Sequence, residues 1–505
     1  MDADLGWVTF RTLSRLDPRK SKHIWFNEGT PGADKTMQVY HSQPHLVAEL
    51  KQSLAQGKRC FVTSNAKGKV VQLARAMKDD FPAKAFVTIT ADTAQEKAVK
   101  DFISDPSTEA LKYDAVFASP SIGTGVDIAF PDQAQAFDAV FGFCEAQITT
   151  HLEFDQQLSR VRHPGEVKVW ITPRKFNFET EFQVVKRDAL ERSLFKNLVV
   201  DYDDSGEPQY QENDPFLEMA SLIVSEQRAS KNDLKGNFVR HKEKQGFLIK
   251  YVGKDHKAFG EGQALLMKGK SLDDETYCEA ISSAKPLTPP EYDRLGEAVR
   301  AGEPLSDSEK WSYERATIED FYQESVTAEL INLDQRGRFR AKVRLFEAVF
   351  EGPDVARFDL LLAGRRLVTG KAGKAAAVRT LLRLTPLLTS DGRLDADVVV
   401  EACDLVQFTD TVSRKKAAIE NQLGVQVQRD FRDKPVQQLG RILGLVGLRL
   451  ERVHSRKEKE KKVYGYRLAP GPLARMKAIV HARKGPMPDS AGAVVPDKVY
   501  TDLSA

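Results

Sequence analysis

Between His23 and Pro173 short apolar runs recur along the chain: HIWF, TMQVYH, RCFVTS, FVTIT, DAVFAS, DAVFGF and VKVWIT. Several are separated by 10 to 20 residues of helical pattern, as in SQPHLVAELKQSLAQG and AKGKVVQLARAMKDD. Strand, amphipathic helix, strand is the repeat of a parallel sheet, so the pattern predicts one α/β domain over residues 24–200. A short N-terminal segment, 1–23, precedes it.

The pattern changes after Asp201. DYDDSGEPQYQENDP is acidic, turn-rich and poor in core formers, and predicts a linker over 201–215. Residues 216–374 read as a mainly helical domain without a deep catalytic cleft. In it, KPLTPPEYDRL and PLSDSEKWSYERATIEDFYQE each read as a turn followed by a helix with an acidic first turn. Residues 375–484 form a third unit. There PVQQLGRILGLVG offers Pro435 at the first helical position, with Val436, Leu439, Leu443 and Val446 on one face. LRLERVHS and VYGYRL then alternate around the polar RKEKEKK, which predicts a hairpin. A helix followed by a basic hairpin is the end of a winged-helix arrangement. The tail, 485–505, has no periodicity and is expected to be flexible. No repeat of fixed period runs through the chain.

Composition changes this picture little. The 505 residues, 41% hydrophobic and 29% charged, suit an ordinary globular chain of about three or four domains. Seventy-five Lys and Arg against 72 Asp and Glu leave a net charge of +3, so affinity for a polyanion has to come from local patches. Cys60, Cys144, Cys278 and Cys403 are far apart and lack zinc spacing, which predicts a reducing compartment and no structural metal. The N-terminus lacks the apolar core of a signal peptide, and no apolar run approaches the ~20 residues needed to span a bilayer. The expectation is a cytoplasmic protein with no membrane partner. Nine histidines without HExxH spacing, and no nucleophile elbow, give no support to a protease or esterase.

The chemistry concentrates in two segments of the α/β domain, about 30 residues apart. DAVFASPSIGTGVDI is a strand ending at Ala118 or Ser119, followed by a Gly-containing turn. EFDQQLSRVRHPG places Gln156 and Arg160 on one face if it is helical. Upstream, KRCFVTSNAKGK reads as a strand whose Ser64 and Asn65 open the next helix, where hydroxyl and amide groups suit phosphate.

In this order, the segments resemble motifs IV, V and VI of the second RecA-like domain of superfamily 2 helicases. The resemblance implies that Ser64, Asn65 and Ser119 contact a nucleic-acid backbone, with Gly123 and Thr124 forming a close-approach turn. It implies that Gly125 and Asp127 sit on the nucleotide side. Motif VI of the family runs Gln-x-x-Gly-Arg-x-x-Arg, with arginines that reach the γ-phosphate across a domain cleft; a permanently charged fork suits that task. Gln156 and Arg160 match it, Ser159 stands at the Gly position and His163 at the last Arg position. Arg162 is one residue earlier, so the finger is Arg160 or Arg162.

Such an enzyme needs a first RecA-like domain with a phosphate-binding loop and an acidic metal box, and roughly 35 residues ahead of the α/β pattern are too few. GTPGADKT, Gly29 to Thr36, carries Asp34 where that loop needs Gly. ALLMKGKS, Ala264 to Ser271, puts Leu and Met where backbone must wrap phosphate. ATP and Mg2+ are therefore expected only in a full-length or completed assembly, with the first domain supplied in cis or in trans. The chain reads as a fragment of a longer frame, a truncated gene, or a subunit completed by another.

The predicted hairpin is the second signal. Arg452, Arg456, Lys457, Lys459, Lys461 and Lys462 outnumber Glu458 and Glu460, and Tyr464 and Tyr466 follow. A cationic hairpin with aromatics suits DNA phosphates and base stacking; the bland alternative is a solvated loop. RGRFRAKVR, Arg336 to Arg344, makes a basic stripe only if it is a strand.

The order of α/β domain, helical region and winged-helix-like end resembles the C-terminal part of origin-binding replication helicases of herpesvirus type and cyanobacterial-type plasmid replication proteins. Ser230 to Phe247, SKNDLKGNFVRHKEKQGF, is similar to the helix after the helicase core in the plasmid proteins. The implied function is ATP-dependent remodelling of single-stranded and origin duplex DNA in plasmid or phage replication. The alternative is a non-enzymatic DNA-binding initiator on a degenerate RecA-like scaffold.

Overall fold

Six of the seven apolar runs form strands: Thr36–Tyr40 (β1), Cys60–Ser64 (β2), Phe86–Ile89 (β3), Ala115–Ala118 (β4), Ala139–Cys144 (β5) and Glu166–Ile171 (β6). β2, β4 and β5 are buried at every position, as strands sandwiched between two helical layers must be. The coordinates are a computed structural model. It describes residues 8, 10, 14–15, 19, 21–23, 29–30, 32–33, 35–122, 126–191, 199–202, 208–210, 214–350, 371–389, 391–425, 427–428, 430–458 and 461–484. Most of HIWF, the C-terminal stretch 485–505, and Gly123, Thr124, Gly125 and Lys459 lie outside the described residues.

The chain divides into two units, Met1–Glu191 with Phe195–Glu275, and Arg192–Leu194 with Thr276–Ala505. In the first unit the helices are Gln43–Ala55 (α1), Lys67–Asp80 (α2), Lys97–Ser104 (α3), Pro106–Ala110 (α4), His151–Leu158 (α5), Phe182–Glu191 (α6), Pro215–Asn232 (α7) and Leu234–Lys244 (α8). The expected linker contains a short antiparallel hairpin, Val199–Tyr202 (β7) with Pro208–Tyr210 (β8).

A seventh strand, Leu248–Val252 (β9), lies in the stretch expected to be mainly helical. It extends the sheet, pairing in parallel with β1 from Thr36↔Leu248 to Tyr40↔Val252. Its burial is intermittent, with Leu248 and Tyr251 exposed, so it lacks the continuous apolar run that marks the inner strands. The sheet order is β3-β4-β2-β5-β6-β1-β9, parallel throughout.

Each face of the sheet carries a core. α1 and α2 cover one with Leu46, Leu50, Leu73 and Met77. α3, α5 and α8 cover the other with Phe102, Phe154, Leu158 and Phe238. The long helix His256–Ser283 (α9) begins in the first unit and lies against α1 and α2. A Cβ on Gly262 would fall 1.7 Å from the Pro44 carbonyl oxygen, and one on Gly269 would fall 2.2 Å from that of Gln72. Side-chain-free positions are what allow this approach. ALLMKGKS is therefore the interior of a helix, not a loop. GTPGADKT precedes its strand rather than following one, and Gly32 is packed under Phe247 with its N–H on the Gln245 carbonyl.

In the second unit the expected capped helices are Pro289–Ala301 (α10), where Thr288 and Glu291 form a capping box, and Asp307–Tyr322 (α11), where Ser306 and Glu309 do. Ala328–Asp334 (α12) and Arg338–Phe350 (α13) follow. α13 settles the RGRFRAKVR stretch as a helix from Arg338 onward, after a turn at Arg336 and Gly337. Arg340 turns inward to the fully buried Asp334 at 2.8 Å and to Glu314 at 2.5 Å, while Val343 and Phe346 enter the core. No basic stripe forms. Lys371–Leu382 (α14), Val406–Arg414 (α15), Lys416–Leu423 (α16) and Pro435–Leu445 (α17) lead to the hairpin Leu450–Glu458 (β10) and Lys461–Leu468 (β11), closed by Pro470–Lys484 (α18). Pro435 stands in the first turn of α17, as expected, and Leu439, Leu443 and Val446 are buried with Ile442. Among the described residues no helix is long and apolar enough to cross a membrane.

Candidate functional site

The helices that follow β2 and β5 pack on opposite faces of the sheet, α2 in one core and α5 in the other. β2 and β5 are neighbours, so their carboxyl ends form a topological switch point, the place where open parallel sheets take ligands. Asn65 spans it. Its Nδ2 donates to the Glu145 carbonyl at 2.9 Å and to Thr149 Oγ1 at 3.0 Å, and its Oδ1 accepts the Glu145 N–H at 2.8 Å. Ser64 Oγ accepts the Ala66 N–H at 3.2 Å. Both side chains are buried; Asn65 ties the turn after β2 to the segment after β5, whereas the Ser64 bond stays within its own turn.

Gln43, from the start of α1, donates to Glu145 at 2.7 Å and accepts from Lys69 Nζ at 3.2 Å. Burial lowers the pKa of Lys69, and Glu145 opposes that shift. The first turn of α2 carries Lys67 and Lys69, no acid and no side-chain cap, which leaves the positive end of the helix dipole uncompensated by side chains of that turn. Lys67 reaches Asp92 at 3.0 Å.

The two later segments meet. Ile128 pairs in parallel with Val161, its N–H on the Arg160 carbonyl at 2.8 Å and its carbonyl taking the Arg162 N–H at 3.1 Å. This stitch puts Asp127 beside Arg162, with Nε 2.6 Å from Oδ1 and both side chains about half exposed. Arg160 is withdrawn: Nη1 donates to the Val126 carbonyl at 3.0 Å. Burial lowers its pKa, Asp127 raising it and Arg162 lowering it further. The expected shared helix face of Gln156 and Arg160 does not form, because α5 ends at Leu158 with Ser159 as its cap. Gln156 stays on the helix, partly exposed, and Arg160 lies in the turn beyond. Ser119 is buried, its N–H on the Ile89 carbonyl and its Oγ accepting from Ser121 N–H.

A polar cluster that sequence patterns did not flag fixes α5 from below. Asp155, buried on that helix, pairs with Lys242 and accepts from Gln245 Nε2 at 3.0 Å, with His241 Nε2 also at 3.0 Å. Opposite charges and hydrogen bonds outweigh its burial and lower its pKa. His151, the first residue of α5, lies 2.7 Å from Ser230 Oγ. Its pKa is pushed down to about 4, by burial first and by His241 second. The stretch Ser230 to Phe247 thus docks on α5. The available signal was Asp155, an acid at an inward position of an amphipathic helix.

On the hairpin, directly opposed residues share a face. A bulge between Arg452 and His454 shifts the alternation, and the register pairs Arg452↔Tyr466, Ser455↔Tyr464 and Lys457↔Lys462. These six residues make one face, with the Arg452 guanidinium 5.5 Å from the Tyr464 ring centroid. The other face carries His454, Arg456 and Val463; there Glu401 holds Arg456 at 2.9 Å, with His454 at 3.9 Å. Lys461 pairs with Glu458 in the ladder. Val400 adds a bridge to Tyr466 on the other strand edge.

Among the described residues no group of His, Cys, Asp or Glu could hold a metal ion. No protein-family model and no curated protein matches the chain.

Proposed function

We propose that this chain supplies a second RecA-like domain and a winged-helix-like DNA-binding end to a replication motor of superfamily 2 type, acting on plasmid or phage DNA. The observation that carries the reading is the meeting of Asp127, Arg160 and Arg162, drawn together by the Ile128–Val161 bridge in a unit built on an all-parallel sheet. An aspartate and two arginines joined by backbone pairing suit one wall of an ATP cleft, where a charged fork stabilises a phosphoryl group. The other wall, with the phosphate loop and Mg2+ site, comes from a first RecA-like domain in cis or in trans. The element order α14, Val400 bridge, α15, α17 and hairpin supports the winged-helix reading.

The test is ATP turnover with single-stranded DNA, measured on the chain alone and after adding a protein that supplies the first domain. The expected result is DNA-stimulated turnover only in the mixture, lost on changing Arg160 and Arg162 together to Ala. Full turnover by that double variant refutes the assignment.

A second reading rests on the internal use of Ser64, Asn65 and Ser119, whose side chains are buried and bonded within the chain. It makes the α/β unit a scaffold and the chain a non-enzymatic initiator. DNA binding that is unmoved by ATP and by both arginine changes favours it.

A further inference from the structure

We infer that one face of the β10–β11 hairpin, built by Arg452, Ser455, Lys457, Lys462, Tyr464 and Tyr466, is a single-strand site on which unpaired DNA bases stack. The inference rests on the proposed DNA-binding role of the hairpin and narrows it to a strand state and a face.

The bulge makes the site. In an unbroken strand Arg452, His454 and Arg456 share a face, because side chains alternate with period two. Here one extra residue, Val453, moves Arg452 to the side of Lys457. The result separates the basic residues by task. Arg456 is turned to Glu401, which ties that face to the body of the unit. Lys457 and Lys462, opposite one another, lie on the face that carries both tyrosines and Arg452.

That combination suits a single strand better than a duplex. Lysines alone recognise phosphate in either form, as mobile point charges. An aromatic ring gains by stacking only on a base whose face is open, and in a duplex the bases already stack on each other. The Tyr464 ring is only partly exposed and has Arg452 over it at 5.5 Å, so it is held before any ligand arrives, and the guanidinium adds a second planar surface. Tyr466, two residues on, lies on the same face and offers a platform for a neighbouring base.

The experiment measures affinity of the full chain for a labelled single-stranded oligonucleotide and for a duplex of equal length. The proteins are wild type, Tyr464→Leu, Tyr464→Phe and the pair Lys457→Ala with Lys462→Ala. Tyr464→Leu is expected to weaken single-strand binding about 5- to 100-fold with duplex binding unchanged, and Tyr464→Phe to retain it. The lysine pair is expected to weaken both and to lower the salt slope by roughly two. A 2-aminopurine base in the single strand, quenched on binding wild type, reads stacking without any variant. Equal loss on both DNAs, or no quenching, overturns the single-strand inference. If the lysine pair leaves binding and salt slope untouched, the hairpin reading itself fails.

Discussion

Replacing Asp155 by Leu isolates the energetic role of the polar cluster that fixes α5. Its partner Lys242 has a side chain only 4% exposed. Removing one member of a buried ion pair costs about 3 to 5 kcal/mol, because the other charge is left desolvated. Lys242 retains the Gln245 amide oxygen at 2.8 Å and the Phe247 ring at 4.6 Å, which places the loss near the lower end, about 3 kcal/mol. The lysine has an escape: it can release its proton. From an ordinary pKa of about 10.4, at 1.36 kcal/mol per unit, that costs about 4.6 kcal/mol at pH 7 and about 1.9 at pH 9. The penalty is therefore capped below about 2 kcal/mol at the higher pH. Hydrogen exchange in the peptides covering α5 and α8 reads this locally, which avoids assuming that both units unfold together. Against wild type at the same pH, Asp155→Leu should speed exchange about 150-fold at pH 7 and about 25-fold or less at pH 9. Adding Lys242→Met should restore most of the protection. Acceleration below tenfold at pH 7, or an effect that does not shrink at pH 9, refutes the argument.

Two further expectations follow from the same unit. His151 has a native pKa of about 4, against 6.5 ordinarily; below pH 6.5 the unfolded chain binds a proton that the fold refuses. Its contribution is whole above pH 6.5 and declines towards pH 4, so urea midpoints should fall across that window less steeply in His151→Gln than in wild type. Gly262→Ala puts a methyl 1.7 Å from the Pro44 carbonyl oxygen, whereas a Cβ at Gly260 meets nothing within 4 Å. The first should lower the melting temperature, by overpacking worth more than about 2 kcal/mol. The second should raise it slightly through helix propensity, and equal effects would rule out the close approach of α9 to α1.

Much of the first unit was legible because buried parallel strands must be apolar along their whole length. RCFVTS, DAVFAS and DAVFGF announce themselves, and they set the carboxyl ends at which Ser64, Asn65 and Ser119 stand. β9 was not legible: an edge strand needs burial on fewer sides, so LIKYV carries no comparable run. RGRFRAKVR was ambiguous by pattern alone, since its periodicity fits either element. The buried Asp334, and the partly buried Glu314 on an earlier helix, fix Arg340 inside a helix.

Local pattern by itself determined the inner strands, the capped helices and the basic hairpin that follows α17. These are short-range consequences of side-chain period and backbone preference. Only the tertiary structure decided which charged groups are left to act. Pairing of Ile128 with Val161 brings Asp127 to Arg162 and turns Arg160 to the Val126 carbonyl. A single bulged residue decides that Arg452 joins Lys457 and not Arg456. The physical reason is common to both: register between separate segments, set by long-range hydrogen bonding and packing, fixes which side of the backbone a residue occupies, and no local preference encodes it.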